Sequence, residues 1–301
     1  MQPATRNNRN WHYYSKGMRQ FLRKPDFAKA LCFFAGVLLG FPNTFSQDIE
    51  PRRWSPIPLG TNIIGAGYSF TSGDVFFDPL LQAENVKIRA HSLVATFAHP
   101  IKIGNKLGSV SMLIPLSSAD WEGLLSGEPT GINRAGFADP RLRASLLLAG
   151  PPAGNAQEIR QYRLENPTDT SFGVSLAITL PLGEYFDDKL INLGGNRFVF
   201  RPQVGMIHYW GSWSFERTGS DFLYTRNPDF FNDSDRTQRP TFAMQSHLVK
   251  QLRKGAWLSL SAGYGLGGES VVNRQPNGDF RSNLLASASY SFLIAKRQGL
   301  K

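Results

Sequence analysis

The sequence predicts an all-β protein, an antiparallel up-and-down transmembrane β-barrel, and three observations point to it. Apolar residues alternate with small or polar ones along about ten segments, as strands with one apolar face require. The connections between these segments are short and long in turn. No apolar run reaches the roughly 18–20 residues of a membrane helix, whereas barrel strands cross a bilayer without such a run.

The first 46 residues are predicted to be a secretory signal peptide. Seven basic residues and one acidic residue precede an uncharged apolar run from Ala30 to Phe41. Small side chains at Thr44 and Ser46 then mark a cleavage site before Gln47. Translation starts at Met1 or at Met18, since both leave a basic lead before the apolar run.

Removal of this signal changes the charge of the chain. The full sequence has 33 basic and 23 acidic residues and a net charge of +10. The exported part keeps 26 and 22 of them, so its charge is about +4 and nucleic acid is not an expected partner. Cys32, the single cysteine, leaves with the signal, and no disulfide is expected.

Residues 47–60 contain three prolines and are predicted to be a periplasmic lead-in, and residues 61–301 are predicted to form the barrel domain. The clearest alternation lies in 171–181, where Phe172, Val174, Leu176 and Ile178 oppose Ser, Gly, Ala and Thr. In chain order, the ten predicted strands cover 61–71, 86–98, 109–117, 139–148, 171–181, 197–208, 212–224, 241–250, 256–265 and 283–292.

Two features favour a barrel in lipid over a soluble β-sandwich. Aromatic residues lie near the ends of the apolar faces, as interfacial girdles require. Short connections near 104–105, 211 and 253–255 alternate with long ones, which is typical of periplasmic turns and outer loops. The long connections cover 72–85, 117–135, 182–196, 219–239 and 267–281. The segment 149–170 is an exception, because it should be a short turn and is about twenty residues long.

Two stretches carry a family resemblance. The sequence Gly-Phe-Ala-Asp-Pro-Arg-Leu-Arg at 136–143 opens a strand, and 180–205 contains Asn-Leu-Gly-Gly-Asn-Arg. Both resemble the bacterial outer-membrane family labelled "MetA-pathway of phenol degradation", often called simply "transporter". The resemblance covers roughly 55–301. It implies a Gram-negative outer-membrane barrel, suspected to pass aromatic or other hydrophobic compounds, and it carries no agreed functional residues.

The same resemblance implies twelve strands rather than ten. Family members continue with two further strands and a terminal aromatic residue, whereas this sequence stops after Lys301. We therefore expect that the barrel domain is incomplete at its C-terminal end. The parity of strands 61–71 and 283–292 would also permit a closed barrel of ten strands.

Signals for catalysis and metal binding are weak, and we expect no enzyme, no catalytic residue, no metal and no cofactor. Ser175 lies within a predicted strand and lacks the sharp glycine-flanked turn of a hydrolase nucleophile. His91 and His99 share one face of a strand and are expected to be polar lumen or interface residues. Asp187 and Asp188 are expected to be solvated acids of a loop.

Charged and amide side chains on the polar faces of the strands are the candidates for lining the lumen. A basic constriction would favour anionic or carboxylate-bearing solutes. Alternatively, the arginines pair with acids and fill a narrow barrel. The candidates are Lys87, Arg89, Asp139, Arg141, Arg143, Arg197, Arg201, Gln203, Glu216, Gln245 and His247.

The sequence thus predicts an outer-membrane channel or transporter for small molecules. Its expected partners are outer-membrane lipids, the barrel assembly machinery and a small solute. The alternative is a structural or adhesive barrel that does not conduct and acts through its long loops.

Cleavage of the signal is the first testable prediction. N-terminal sequencing of protein extracted from membranes should begin near Gln47. Recovery of an intact Met1 or Met18 terminus would contradict it.

Overall fold

The computed structural model describes residues 49–75, 83–125, 127–253 and 255–292. The predicted signal peptide, 1–46, lies outside the described residues. Fifteen strands and one helix occur in the described part. The strands are β1 (Ile63–Val75), β2 (Ala83–Ile103), β3 (Lys106–Leu125), β4 (Glu128–Phe137), β5 (Arg141–Ala149), β6 (Thr168–Thr179), β7 (Val199–Trp210), β8 (Trp213–Tyr224), β9 (Asn227–Phe230), β10 (Ser234–Gln238), β11 (Thr241–Arg253), β12 (Ala256–Gly267), β13 (Ser270–Val272), β14 (Gln275–Pro276) and β15 (Arg281–Ser291), and the helix is α1 (Ala156–Glu165).

Ten of these strands form one antiparallel path in the order β1-β2-β3-β5-β6-β7-β8-β11-β12-β15, with β4 paired to the outer half of β3. Each of the ten predicted strands corresponds to one member of this path, so the all-β, up-and-down barrel fold is confirmed. In the described part of the chain, β1 and β15 are the two ends of the path. The expectation of twelve strands stays a prediction.

The pairing register separates an outer from an inner face. Because directly paired residues share a face, Leu176, Val204 and Leu258 belong to one continuous outer surface. Large apolar side chains on that surface are exposed, Val204 at 62%. The six aromatic residues that we predicted near strand ends are also exposed: Tyr68, Phe70, Phe172, Phe198, Tyr290 and Phe292. An exposed apolar face beside a buried polar one is the arrangement of a barrel in lipid.

The long connections contain more structure than the sequence indicated. The predicted loop 117–135 is a hairpin of β3 and β4. The predicted loops 219–239 and 267–281 contribute β9, β10, β13 and β14 to a separate four-stranded sheet. The strands β2 and β3 are 21 and 20 residues long, and so they extend well beyond the roughly ten residues that cross a bilayer.

The unexpectedly long connection 149–170 contains the helix α1. Asn155 caps this helix, since its side chain accepts hydrogen bonds from the backbone N–H groups of Gln157 and Glu158. The Glu158 side chain accepts in return from the Asn155 backbone, which completes a capping box. Ile159 is the buried residue of the helix. No helix in the described residues is long and apolar enough to cross a membrane.

The assignment of the two faces predicts the effect of an outward arginine. Val204 is the sixth of the twelve residues of β7, while Leu223 is next to the outer end of β8. We expect Val204→Arg to lower the free energy of unfolding in lipid by ~2–4 kcal/mol and Leu223→Arg by only ~0–1 kcal/mol. Denaturant titration in liposomes measures both. Equal costs would contradict the different depths of the two positions.

Candidate functional site

The inner face of the sheet is polar and nevertheless buried. Most of its buried side chains are hydroxyls, amides and charged groups, whereas the exposed large apolar side chains point outward. Buried polar groups require hydrogen-bond partners or paired charges, so something must cover this face. The buried members are Ser171, Ser175, Arg201, Gln203, Ser214, Glu216, Thr218, Ser220, Gln245, His247, Ser259 and Ser261.

Residues 49–60, which we call the plug segment, cover part of this face. The segment includes most of the predicted lead-in 47–60, whose periplasmic location stays a prediction. Its central side chain, Trp54, is only 2% exposed and packs with Leu107, Leu147, Ile159 and Ile207. The indole Nε1 donates a hydrogen bond of 2.7 Å to Thr218 Oγ1. Trp54 therefore satisfies its one polar group while it fills an apolar space between the strands and α1.

Two glycines on the inner face make the space for this indole. A Cβ atom at Gly173 would lie 2.5 Å from Trp54 Cε3, and one at Gly205 would lie 2.1 Å from Trp54 Nε1. Both distances are far below van der Waals contact, so a side chain at either position would displace the ring. The glycines thus form a slot for Trp54 in β6 and β7.

Three guanidinium groups surround the carboxylate of Glu50. Arg143 binds it with both Nη atoms, at 2.8 Å to Oε2 and 3.0 Å to Oε1. Arg53 Nη1 donates to Oε2 at 2.8 Å, and Arg141 Nη1 lies 3.7 Å from Oε1. We call Arg53, Arg141 and Arg143 the basic cluster. The two wall residues Arg141 and Arg143 come from β5, so Glu50 attaches the plug segment to the sheet.

The charge of the basic cluster controls the ionisation of Glu50. Burial alone would raise the pKa of this carboxyl group, but the charges of Arg143 and Arg53 outweigh burial and hold its pKa well below the ordinary value. Burial and the like charge of Arg143 lower the pKa of Arg53 to about 10. Both groups are therefore ionised at neutral pH.

The backbone of the plug segment faces a second acid, Glu216 of β8. Arg52 has a φ of 65°, in the left-handed region, and Ser55 N donates to Arg52 O at 3.1 Å. This turn directs the backbone N–H groups of Arg52, Arg53 and Trp54 towards the fully buried Glu216 carboxylate, although neither oxygen of Glu216 has a hydrogen bond of good geometry among the described residues.

The C-terminal end of the plug segment contacts the connection 149–170, which contains α1. Leu59 N donates to Gly154 O at 2.9 Å, and Ala153 N donates to Asn105 O at 3.1 Å. Ile159 of α1 and the ring of Tyr209 contact the same cluster as Trp54. The plug segment and α1 therefore cover the inner face at the end of the sheet where the short turns lie.

A second group of arginines lies at the opposite end, among the long loops. Arg197 donates a hydrogen bond to Gln238 Oε1, and its guanidinium lies 4.6 Å from the Tyr224 ring centroid. Arg236 of β10 stands 5.0 Å above the ring of Phe230. Burial, and then the neighbouring charge of Arg236, lower the pKa of Arg197 to about 10. Arginines thus occur on the inner side both among the loops and near Glu50.

The structure places most of the predicted lumen residues on the inner side. Arg201 Nε donates to Ser220 Oγ at 3.3 Å, and Gln203 Oε1 accepts from Ser175 Oγ at 3.0 Å. His247 Nδ1 lies 2.8 Å from Ser261 Oγ. Inner-side residues from the prediction are Arg141, Arg143, Arg197, Arg201, Gln203, Glu216, Gln245 and His247.

The prediction was wrong for Lys87 and Arg89. Both are exposed and pair across strands with Glu122 and Asp120 on the outer face. The inner side of this part of β2 carries Val86, which packs with Ala119 and Trp121 and with apolar loop residues. In this part of β2 the apolar residues face inward and pack under a loop, so the charged residues face outward, the opposite of what the sequence indicated.

Asp139 and the loop acids have structural surroundings. Asp139 lies between strands and accepts hydrogen bonds from the backbone of Gly183 and Gly195, at 2.9 and 2.7 Å. It therefore holds the loop 182–196. The arginines of the basic cluster pair with Glu50. Asp188 forms an exposed pair with Lys189. The described residues contain no group of three or more potential metal ligands.

Sequence reasoning missed the plug segment and the residues that hold it, Glu50, Arg53 and Trp54. The segment has no period of two and follows a predicted cleavage site, so it resembled a linker. The run Arg52-Arg53-Trp54 beside Glu50 was the one available signal, because a free linker needs no such side chains.

The comparisons agree with this fold. Residues 64–301 match the model of the family described as "Putative MetA-pathway of phenol degradation". The chain belongs to this family. Among solved structures, it is similar to the COG4313 outer membrane channel from Pseudomonas putida F1, with a TM-score of 0.66 and 18% identity, over 82% of this chain and 88% of that one. None of the curated proteins matches the chain.

The Trp54 slot yields a prediction. Gly205→Val should displace the indole, because the new Cβ would lie 2.1 Å from Trp54 Nε1. The backbone oxygen of Arg217, 2.8 Å away on the other side, prevents the valine from moving away from the ring. We expect a loss of ~1–3 kcal/mol in the free energy of unfolding and faster tryptic cleavage after Arg52 and Arg53. Gly219→Ala is the matched control, since its Cβ would meet only Val204 Cγ2 at 4.0 Å. Equal protection of the two variants would contradict the slot.

Glu50 yields a pH-dependent prediction. Its pKa is lowered in the folded state, so it contributes stability that is fully present above its ordinary pKa of about 4.3 and is lost as the pH falls towards the folded value. At pH 7, Glu50→Gln should cost roughly 2–5 kcal/mol, as for one partner of a buried charge pair. The difference between the two proteins should begin to shrink near pH 4 and should continue to shrink as the pH falls further. A difference that is constant between pH 7 and pH 3 would contradict the ion cluster.

Proposed function

We propose that this protein is an outer-membrane channel for small molecules, and that it favours solutes with a negative charge. The observation that carries the proposal is the line of arginines on the inner side, from Arg197 and Arg236 among the loops to Arg201 and the basic cluster. Rings of basic side chains select anions by lowering the electrostatic barrier to their entry.

The family and the similar structure support the location and the general role. The family description names a pathway of phenol degradation, and the similar solved structure is that of an outer membrane channel. A phenolic or other aromatic solute with an acidic group would fit both that description and the basic inner side. The proposed partners of the protein are outer-membrane lipids, the barrel assembly machinery and the solute. We also propose that the predicted signal peptide exports the protein.

Catalysis has no part in the proposal. Ser175, the serine considered in the sequence, lies within β6, accepts a hydrogen bond from Arg53 Nη2 at 2.9 Å and donates one to Gln203. Among the described residues, the Ser175 hydroxyl is thus bound by a guanidinium and an amide, neither of which is a general base.

One observation favours the alternative, a barrel that does not conduct. The plug segment and α1 fill the inner side around Trp54, which contacts both the strands and the helix. In this second candidate function, the protein would be structural or adhesive and would act at the cell surface through the loop sheet formed by β9, β10, β13 and β14.

Conductance separates the two candidates. The full exported chain is reconstituted in planar bilayers, and current is compared between the wild type and Trp54→Ala. A channel predicts a small wild-type current, a larger current in Trp54→Ala, and a reversal potential in a KCl gradient that indicates anion selectivity. Arg226→Gln, in an exposed loop pair with Asp235, should leave the selectivity unchanged.

The opposite results would favour the alternative. If folded wild type and folded Trp54→Ala both pass no current, the barrel does not conduct. If current flows but is cation-selective, the channel stands and the role of the arginines is wrong.

A further inference from the structure

The contacts of Glu50 have the geometry of a bound carboxylate ligand. The guanidinium of Arg143 donates one hydrogen bond to each carboxylate oxygen, of 2.8 and 3.0 Å. This two-pronged contact is the one through which arginine recognises carboxylates in general. Arg141, on the same face of β5, adds a second positive charge 3.7 Å away.

The wall of the barrel provides the larger part of this site. Arg141 and Arg143 belong to β5, which is fixed by pairing to β3 and β6. Arg53 and Glu50 belong to the plug segment, and so they leave together if the segment moves. The site on the wall would then keep its two guanidinium groups and lose the Glu50 carboxylate.

The charges around the site favour an anion. Facing the Glu50 carboxylate from the described elements are Arg53 of the plug segment and both β5 arginines, and Arg201 of β7 acts on Arg53. His247 of β11 also lies within electrostatic range of Glu50. Glu50 therefore balances a strongly positive part of the inner side. Its side chain is half-buried, with 28% of its surface exposed.

We propose that Arg141 and Arg143 form a binding site for the carboxylate group of a solute, and that Glu50 occupies this site as an internal competitor. This inference rests on the proposed function as a channel and names the chemical group that the channel recognises. A solute carboxylate that takes the place of Glu50 breaks the main ionic attachment of the plug segment to β5. Binding and opening of the inner side are then coupled.

Internal competition has a measurable consequence. A ligand that binds only when Glu50 has left shows an apparent affinity reduced by the small fraction of molecules in that state. Removal of the Glu50 charge removes the competitor without any change in the wall. The affinity for a carboxylate should then rise, while the affinity for an uncharged analogue should stay the same.

The experiment measures binding to the full exported chain, folded in detergent and checked by heat-modifiable migration. The probes are para-fluorobenzoate and its amide, para-fluorobenzamide, which have the same ring and differ in charge, and fluorine NMR reports their binding. We expect Glu50→Gln to bind the benzoate at least about tenfold more tightly than the wild type, a change of ~1.4 kcal/mol. The benzamide should bind equally weakly to both.

The wall arginine is tested in the Glu50→Gln background. Addition of Arg143→Gln should abolish the gain, and Arg143→Lys, which keeps the charge but not the two-pronged contact, should retain only part of it. Arg226→Gln, in the exposed loop, should retain all of it. If Arg143→Gln does not fold, the lysine variant provides the comparison.

Three results would overturn the proposal: equal benzoate affinity in the wild type and Glu50→Gln, an equal gain for the benzamide, or a gain that survives the loss of Arg143. Binding needs no conduction, so the site and the channel can fail separately. Carboxylate binding without current would leave the site and reject the channel. Current without any effect of Glu50 on binding would leave the channel and reject the carboxylate site.

Discussion

The contact between Glu50 and the basic cluster is the interaction on which the interior of this protein depends. A barrel in lipid has its apolar side chains outside, which leaves polar and charged groups to face one another inside. Here the inner side has more arginines than acids near its middle, and uncompensated charges in such a place are costly. Glu50 supplies a carboxylate from outside the sheet, and its contact with Arg143 attaches the plug segment to β5.

Trp54 turns that ionic contact into a fixed position. Its indole fits a slot that exists because Gly173 and Gly205 lack side chains, and its N–H reaches Thr218. Ile159 closes the same cluster from α1. An ion pair alone would allow the segment to pivot, whereas an ion pair and a buried ring four residues apart fix its direction as well.

Much of the fold could be predicted from the sequence, since the alternation that identifies a strand is local. All ten predicted strands are present, and the outward aromatic residues are where the pattern placed them. The parity of the outer half of β2 could not be predicted, because Val86 is buried by a loop cluster that includes Ile191 and Leu193 from a distant part of the chain. A strand with apolar residues on its inner face looks reversed when its neighbours are unknown.

Only half of the inner site could be predicted from the sequence. Arg141 and Arg143 were recognised by their place on the polar side of a strand, which is again a local property. Their partner was not, because Glu50 lies 93 residues from Arg143 in a segment without any regular pattern. The cap formed by α1 was hidden for a similar reason, since the helix is polar and only Ile159 is buried.

A double-mutant cycle between Glu50 and Arg143 tests the central contact most directly. Unfolding free energies of the wild type, Glu50→Gln, Arg143→Gln and the double variant are measured in the same lipid at pH 7. Direct contact predicts a coupling energy of about 1–3 kcal/mol, in the range found for residues of one ion network. Costs that add within ~0.5 kcal/mol would show that the two side chains do not interact, and would contradict the account of the interior given above.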